Sequence, residues 1–175
     1  MLFHSLRSSI IQCIFTILLC CSFTVTASSE SKSEATQAVN QVLDGLHQAA
    51  SQADLDKYLG SFTQTGVFMG TDDWERWTRP TTLDKYVAER FAGGTGWTYK
   101  SVERHINFSE QQNIAWFDEI TVSQKWGRFR GTGVLIKDND QWKFAHYAMS
   151  VLVPNEAWEK VAEINIKTFA ERQKK

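Results

Sequence analysis

Between residues 34 and 53 apolar side chains recur at helical spacing, at Ala38, Val42, Leu46 and Ala49, and predict an amphipathic helix with one core face. Asp54 is placed to cap a short second helix that runs through Tyr58 and Leu59 and stops at Gly60. Residues 62–69 read as a strand. A third helix is expected over residues 81–91, where Thr81 and Asp84 have capping-box spacing and Gly93-Gly94 ends the segment. The pattern then switches to strand period. Residues 97–108, 113–122, 126–137 and 142–153 read as a meander joined by short polar turns. Pro154 breaks the last strand, and a C-terminal helix over residues 155–175 places Trp158, Val161, Asn165 and Phe169 near one face.

Helices first and antiparallel strands after describe an α+β domain, with helices packed on one face of a curved sheet. The segments FMGTDDWERW (68–77), AWFDE (115–119), RGTGVL (130–135) and HYAMSVLVPNE (146–156) resemble, in order and spacing, the NTF2-like/SnoaL-like superfamily. Within it they are similar in particular to exported bacterial proteins of the DUF4440 type. The resemblance spans residues 35–156. It implies an NTF2-like cone: a curved antiparallel sheet wrapped around N-terminal helices, plus a C-terminal helix, often dimeric, with a cavity between sheet and helices. Distant members include ketosteroid isomerase, polyketide cyclases and dehydratases, and also transport and oligomerisation modules without catalysis. Fold alone therefore does not fix the chemistry.

Strand alternation sorts the side chains into faces. A turn centred near Ser123-Gln124 sets Trp116 opposite Gly131 and Asp118 opposite Phe129. A second, centred near Asn139-Asp140, sets Gly131 opposite Ala148, Gly133 opposite His146 and Leu135 opposite Phe144. One face then carries Trp116, Asp118, Phe129, Gly131, Gly133, Leu135, Phe144, His146 and Ala148 and is read as concave. The other carries Phe117, Glu119, Arg128, Arg130, Thr132, Lys143, Tyr147 and Met149, with Glu119 facing Arg128. Phe117, Tyr147 and Met149 among charges suit a homodimer surface on the outer sheet face.

On this register Asp118 is the candidate base, since an apolar setting beside Trp116 raises a carboxyl pKa. A structural acid bound to an arginine or a helix N-terminus is the alternative. His146 is the candidate acid or polar contact, or a core histidine satisfied by a carbonyl. Four residues of strand separate their rows, about 13 Å, so the two would touch opposite ends of a ligand. Trp116, Phe129, Gly131, Phe144 and Ala148 are the expected ligand walls, and Trp74 or Trp77 is expected to close the mouth. Asp72 and Glu75 have capping-box spacing for a short helix, which accounts for the acidic GTDDWERW loop without a metal. His47, His105 and His146 are too scattered in sequence to argue for a metal site. No cofactor motif and no nucleophile elbow is found.

Composition adds the compartment. Residues 1–27 read as an export signal: Arg7 supplies the positive start, residues 10–21 the apolar run, and Val25-Thr26-Ala27 the small residues for cleavage. The run is shorter than the about 20 apolar residues of a membrane span. Residues 28–33 form a flexible lead-in, and residues 34–154 the domain. All three cysteines, Cys13, Cys20 and Cys21, lie in the leader, so the mature chain is expected to have neither thiol nor disulfide. Cys20 leaves a lipid-anchored form as an alternative, although Leu19 stands before it where a small residue is wanted. Removing Arg7 shifts the formal charge from −1 to −2, and no basic block marks a nucleic-acid partner. Seven Trp and eleven Phe suit either a core or an apolar pocket. The expectation is an exported, periplasmic or secreted domain that binds a small, partly apolar molecule in its cone. Cofactor-free acid–base chemistry stands beside a non-catalytic interaction module as the alternative.

Overall fold

In the computed structural model residues 31–174 are described; the expected export leader lies outside the described residues. Ser31 caps α1 (Lys32–Gln52): its hydroxyl accepts from the Glu34 amide while the Glu34 carboxylate accepts from the Ser31 amide. That reciprocal pair starts the helix within the expected lead-in. The buried stripe of α1 is Ala35, Val39, Leu43, Leu46, Ala49 and Ala50, so Ala38 and Val42 flank the core rather than centre it. Asp54 caps α2 (Leu55–Gly60) by accepting from the Lys57 amide at 3.1 Å.

Six strands follow: β1 (Phe62–Met69), β2 (Arg76–Thr78), β3 (Lys100–Phe108), β4 (Ile114–Ser123), β5 (Gly127–Asp138) and β6 (Gln141–Val151), with α3 (Thr82–Phe91) between β2 and β3. A 3-10 turn (Asn155–Ala157) leads into α4 (Trp158–Arg172). The sheet order is β2-β1-β6-β5-β4-β3. The α+β cone is as expected, but the sheet is mixed: β1 runs parallel to β6. The segment expected as a short helix near Asp72 is instead the loop of the β1–β2 hairpin, closed by the Gly70 amide on the Glu75 carbonyl at 2.9 Å. Thr81 makes no side-chain cap, and Asp84 pairs with Arg79 at 3.0 and 3.1 Å instead.

Two registers differ from expectation, and together they turn β4 and the end of β6 over while β5 and Phe144 keep their expected face. The β4–β5 turn spans Gln124 to Trp126, with Ser123 opposite Gly127, and Gly127 takes φ 85° where the chain re-enters the sheet. Glu119 therefore lies opposite Gly131, and Asp118 opposite Thr132. The β5–β6 turn is as expected: Asn139 and Asp140 both have positive φ, the type I′ geometry, and Leu135 lies opposite Phe144. Beyond that pair a bulge places Ala145 as an extra residue, so Val134 meets His146, Gly133 meets Tyr147 and Gly131 meets Met149. The inner face thus carries Ala115, Phe117 and Glu119 beside Phe129, Gly131, Gly133, Leu135, Phe144 and Tyr147, all buried.

Helices α1, α2 and α3 cover that face with Val39, Leu43, Tyr58, Leu83 and Val87. Helix α4 buries no residue, and Trp158, Ile164 and Ile166 stay more than half exposed. No helix of the described residues is long and apolar enough to cross a membrane. Gly133 is required by close approach: a Cβ there would fall on the His146 carbonyl oxygen and lie 2.7 Å from Cε1 of Phe117. Gly133→Ala is expected to cost about 1–3 kcal/mol by overpacking, read as a lowered midpoint in urea with unchanged slope.

Candidate functional site

Beside the apolar stripe of α1 runs a polar ridge, Asn40, Asp44 and His47, at helical spacing. It meets Arg104 of β3 and Glu119 of β4, which are paired across the two strands. Glu119 is 1% exposed, and its carboxylate accepts four hydrogen bonds. Nε2 of His47 reaches Oε1 at 2.8 Å, with the Tyr147 hydroxyl at 3.0 Å; Nε and Nη2 of Arg104 reach Oε2 at 3.0 and 2.8 Å. Nη1 of Arg104 also donates to Asn40 and Asp44, each at 2.9 Å.

Burial pushes the Glu119 carboxyl up, but the hydrogen bonds and charges of His47 and Arg104 outweigh it and hold the group at about 2. Burial first, then the Glu119 charge, push the Tyr147 phenol well above its ordinary range, so it stays a donor. An ionised carboxylate only accepts, so the proton between Glu119 and His47 sits on Nε2. In the neutral ring Nδ1 then holds a lone pair, and it has no hydrogen-bond partner among the described residues.

His47 borders a cavity of about 130 Å³ between the helices and the inner sheet face. Leu46, Tyr58, Phe68, Trp77 and Tyr147 form its buried floor; the more exposed Thr71, Glu75, Tyr86, Trp97 and Tyr99 form its rim. The rings are packed against one another. Phe68 stacks on Tyr147 and on Trp77 (centroids 5.7 and 5.9 Å apart), and Trp77 stacks on Tyr86 at 3.8 Å. An engineered apolar cavity of about 150 Å³ takes up benzene, so the space suits a single small ring. Larger hollows of about 570 and 730 Å³ lie on the outside of the domain and border no part of the Glu119 network.

The rim loop is pinned twice. Oε2 of Glu75 accepts from the amides of Thr71 and Asp72 at 2.7 and 3.0 Å, and Arg172 of α4 grips the Asp72 carboxylate through two contacts of 2.7 Å. Arg172 holds the Asp72 carboxyl well below its ordinary range. This pair is solvent-exposed, so it fixes the loop's position more than it stabilises the fold.

Of the expected site residues Trp77 borders the cavity. Phe129, Gly131 and Phe144 face inward but stand behind it: Phe129 meets Tyr99 edge-on, Gly131 lies under the Tyr147 hydroxyl, and Phe144 packs on Phe62, Phe117 and Tyr147. Asp118, His146, Trp116 and Ala148 are corrected to the outer face by the shifted β4 register and the β6 bulge. Asp118 is exposed, Trp116 is 47% exposed, and Nε2 of His146 lies 3.3 Å from Sδ of Met69. Phe117 and Tyr147, expected on the dimer face, are core residues, and Met149 lines the cavity. Glu119 pairs with Arg104 and His47, not with Arg128, which lies opposite Val122. His47, Arg104 and Glu119 were not singled out as a site. The sequence does carry one trace of them, the ridge Asn40, Asp44, His47 beside an apolar stripe.

Among the described residues no cluster of three or more His, Cys, Asp or Glu is arranged to hold a metal ion. No curated protein matches the sequence. Solved structures match in fold. A protein of unknown function with a cystatin-like fold from Nostoc punctiforme PCC 73102 is 14% identical, with 73% of this chain and 97% of that chain covered and a TM-score of 0.59. A proposed dehydratase of the NTF2-like family from Streptomyces avermitilis is 11% identical, covering 71% of this chain and all of that one, at a TM-score of 0.59. A proposed ketosteroid isomerase from Parabacteroides distasonis ATCC 8503 is 13% identical over 66% of this chain and 86% of that one, at a TM-score of 0.54. At these identities the likeness is one of fold. The SnoaL-like domain family matches residues 39–154, more than half of the chain, and the chain belongs to that family.

Proposed function

We propose that this SnoaL-like domain binds a small, ring-bearing molecule in its aromatic cavity and moves a proton on it without a cofactor, with His47 as the base. The observation that carries this reading is the His47–Glu119 pair: a cavity-wall imidazole held through Nε2 by a buried carboxylate, with Nδ1 uncommitted among the described residues. A carboxylate that fixes an imidazole's tautomer and stabilises the imidazolium is a recurring device for general-base catalysis. The C–H bond next to a ligand carbonyl would break, the proton passing to Nδ1 and the electron pair into the carbonyl. Return of the proton at another carbon gives isomerisation, and loss of a β-leaving group gives dehydration. Arg104 holds Oε2 and keeps Glu119 ionised, and the Tyr147 hydroxyl donates to Oε1, the oxygen that also meets His47. The likeness to a proposed dehydratase and a proposed ketosteroid isomerase is in keeping with this class, at the level of fold.

The test is a panel of small aryl and cyclic ketones incubated with the protein in D2O, with deuterium uptake read by mass spectrometry. The wild type is expected to accelerate exchange in a ligand that also protects the cavity. Binding without exchange in any ligand would leave a binding module and remove the base role.

Two further parts of the reading follow the sequence. The leader in residues 1–27 supports an exported, periplasmic or secreted location. A second copy of the chain is the proposed partner for the outer sheet face, where Trp116, Val134, His146 and Val67 form one cross-strand row. Sedimentation of the wild type and of Trp116→Lys should show a dimer lost in the variant; a monomeric wild type would sink that proposal.

A further inference from the structure

The charge of the cavity points to a class of ligand, given the binding reading above. Among the described residues its lining holds one acid, Glu75, and one imidazole, His47, already paired to a carboxylate; no Lys or Arg is among them. Glu75 commits Oε2 to two backbone amides, while Oε1 has no partner among the described residues. The loop packs closely here, since a Cβ on Gly70 would land on the Glu75 carboxylate.

A second observation is independent of the acid. Tyr58 is only 3% exposed, lines the cavity, and its hydroxyl has no hydrogen-bond partner among the described residues. The residue lines the cavity, where a ligand group can hydrogen-bond to that hydroxyl. Burial, and then the phenols of Tyr86 and Tyr99, push the Tyr58 hydroxyl up, so these three side chains share one region. The Tyr86 and Tyr99 hydroxyls are raised by burial and next by the Glu75 charge, and both side chains line the cavity together with Glu75. Arg90 also acts on these two phenols, but more weakly than Glu75; its guanidinium lies over Trp97 at 5.6 Å and donates to the carbonyls of Thr95 and Gly96.

We propose that the cavity selects a small ring bearing a protonated amine, its ammonium held by Glu75 amid the hydroxyls of Tyr86 and Tyr99. A carboxylate charge and π-rich walls both favour a cation, and both disfavour an anionic ligand of the same shape. The ring would occupy the floor near Tyr58 and His47.

Benzylamine, benzyl alcohol and benzoate form a nearly isosteric series of cation, neutral and anion, and titration calorimetry on the full domain compares them. The wild type is expected to bind benzylamine at least tenfold more tightly than benzyl alcohol, and benzoate most weakly. Glu75→Gln keeps an acceptor for the Thr71 and Asp72 amides, so it should fold; it is expected to erase the benzylamine advantage while leaving benzyl alcohol within twofold. Tyr99→Phe, which keeps the ring, should lower benzylamine affinity severalfold. Equal binding of amine and alcohol, or a preference that survives Glu75→Gln, would overturn the amine assignment and leave the cavity reading intact. If none of the three binds, the cavity reading fails, and the amine inference with it.

Discussion

Glu119→Gln is expected to lower stability by roughly 3 kcal/mol near neutral pH and to flatten the acid limb of the stability curve. The reason is the number and kind of its donors. Four N–H or O–H groups from His47, Tyr147 and Arg104 converge on the carboxylate, which has about four acceptor sites. A glutamine carbonyl can serve one side of that arrangement, and its NH2 group then points at donors on the other. Arg104, with a side chain 9% exposed, would keep only Asn40 and Asp44. The pH dependence follows from the depressed pKa. The unfolded chain holds this proton more tightly, with a usual value of 4.5, than the folded chain at about 2. Glu119 therefore contributes its full stabilisation above about pH 4.5 and loses it as the pH falls toward 2. Urea midpoints of wild type and variant between pH 2 and 7 check this: the curves should converge at the acid end. A constant gap across that range would mean that Glu119 is not held ionised by its partners.

His47→Gln is expected to reduce proton transfer by about 10²–10⁴-fold in kcat with little change in KM. Glutamine can still donate to Glu119, so the buried carboxylate keeps a partner and the fold is expected to survive. What it lacks is a second nitrogen with a basic lone pair. A merely structural role for His47 predicts a different split, in which stability falls and the remaining folded protein keeps its kcat. Stopped exchange in D2O, normalised to the folded fraction by circular dichroism, separates the two outcomes.

Much of the fold could be read because its signals are local. The Asp54 cap, the helical period of α1 and the Asn139-Asp140 turn act within a few residues of themselves; the Ser31 cap is equally local but falls in the segment expected as a lead-in. The turn correctly set Leu135 opposite Phe144. The faces were misassigned where one residue decided parity. Gly127, in the left-handed region just after a three-residue turn, marks the β4–β5 register and centres that turn on Lys125, later than Ser123-Gln124. The β6 bulge at Ala145 had no glycine or proline to announce it. The parallel pairing of β1 with β6 joins segments far apart in sequence, and no periodicity encodes it. The site shares that difficulty. Glu119 becomes a buried acceptor only when α1, β3, β4 and β6 bring His47, Arg104 and Tyr147 to it.

The central claim is that His47 presents an unprotonated Nδ1 to a ligand in the cavity. Long-range proton–nitrogen correlation spectra of the histidine-labelled domain, with benzyl alcohol and benzylamine titrated in at pH 7, test it most directly. The account predicts an Nε2–H tautomer for His47 and an Nδ1 resonance that shifts saturably as ligand is added, while His105 and His146 stay unmoved. An Nδ1–H tautomer, or a His47 signal indifferent to ligands that bind, would contradict it.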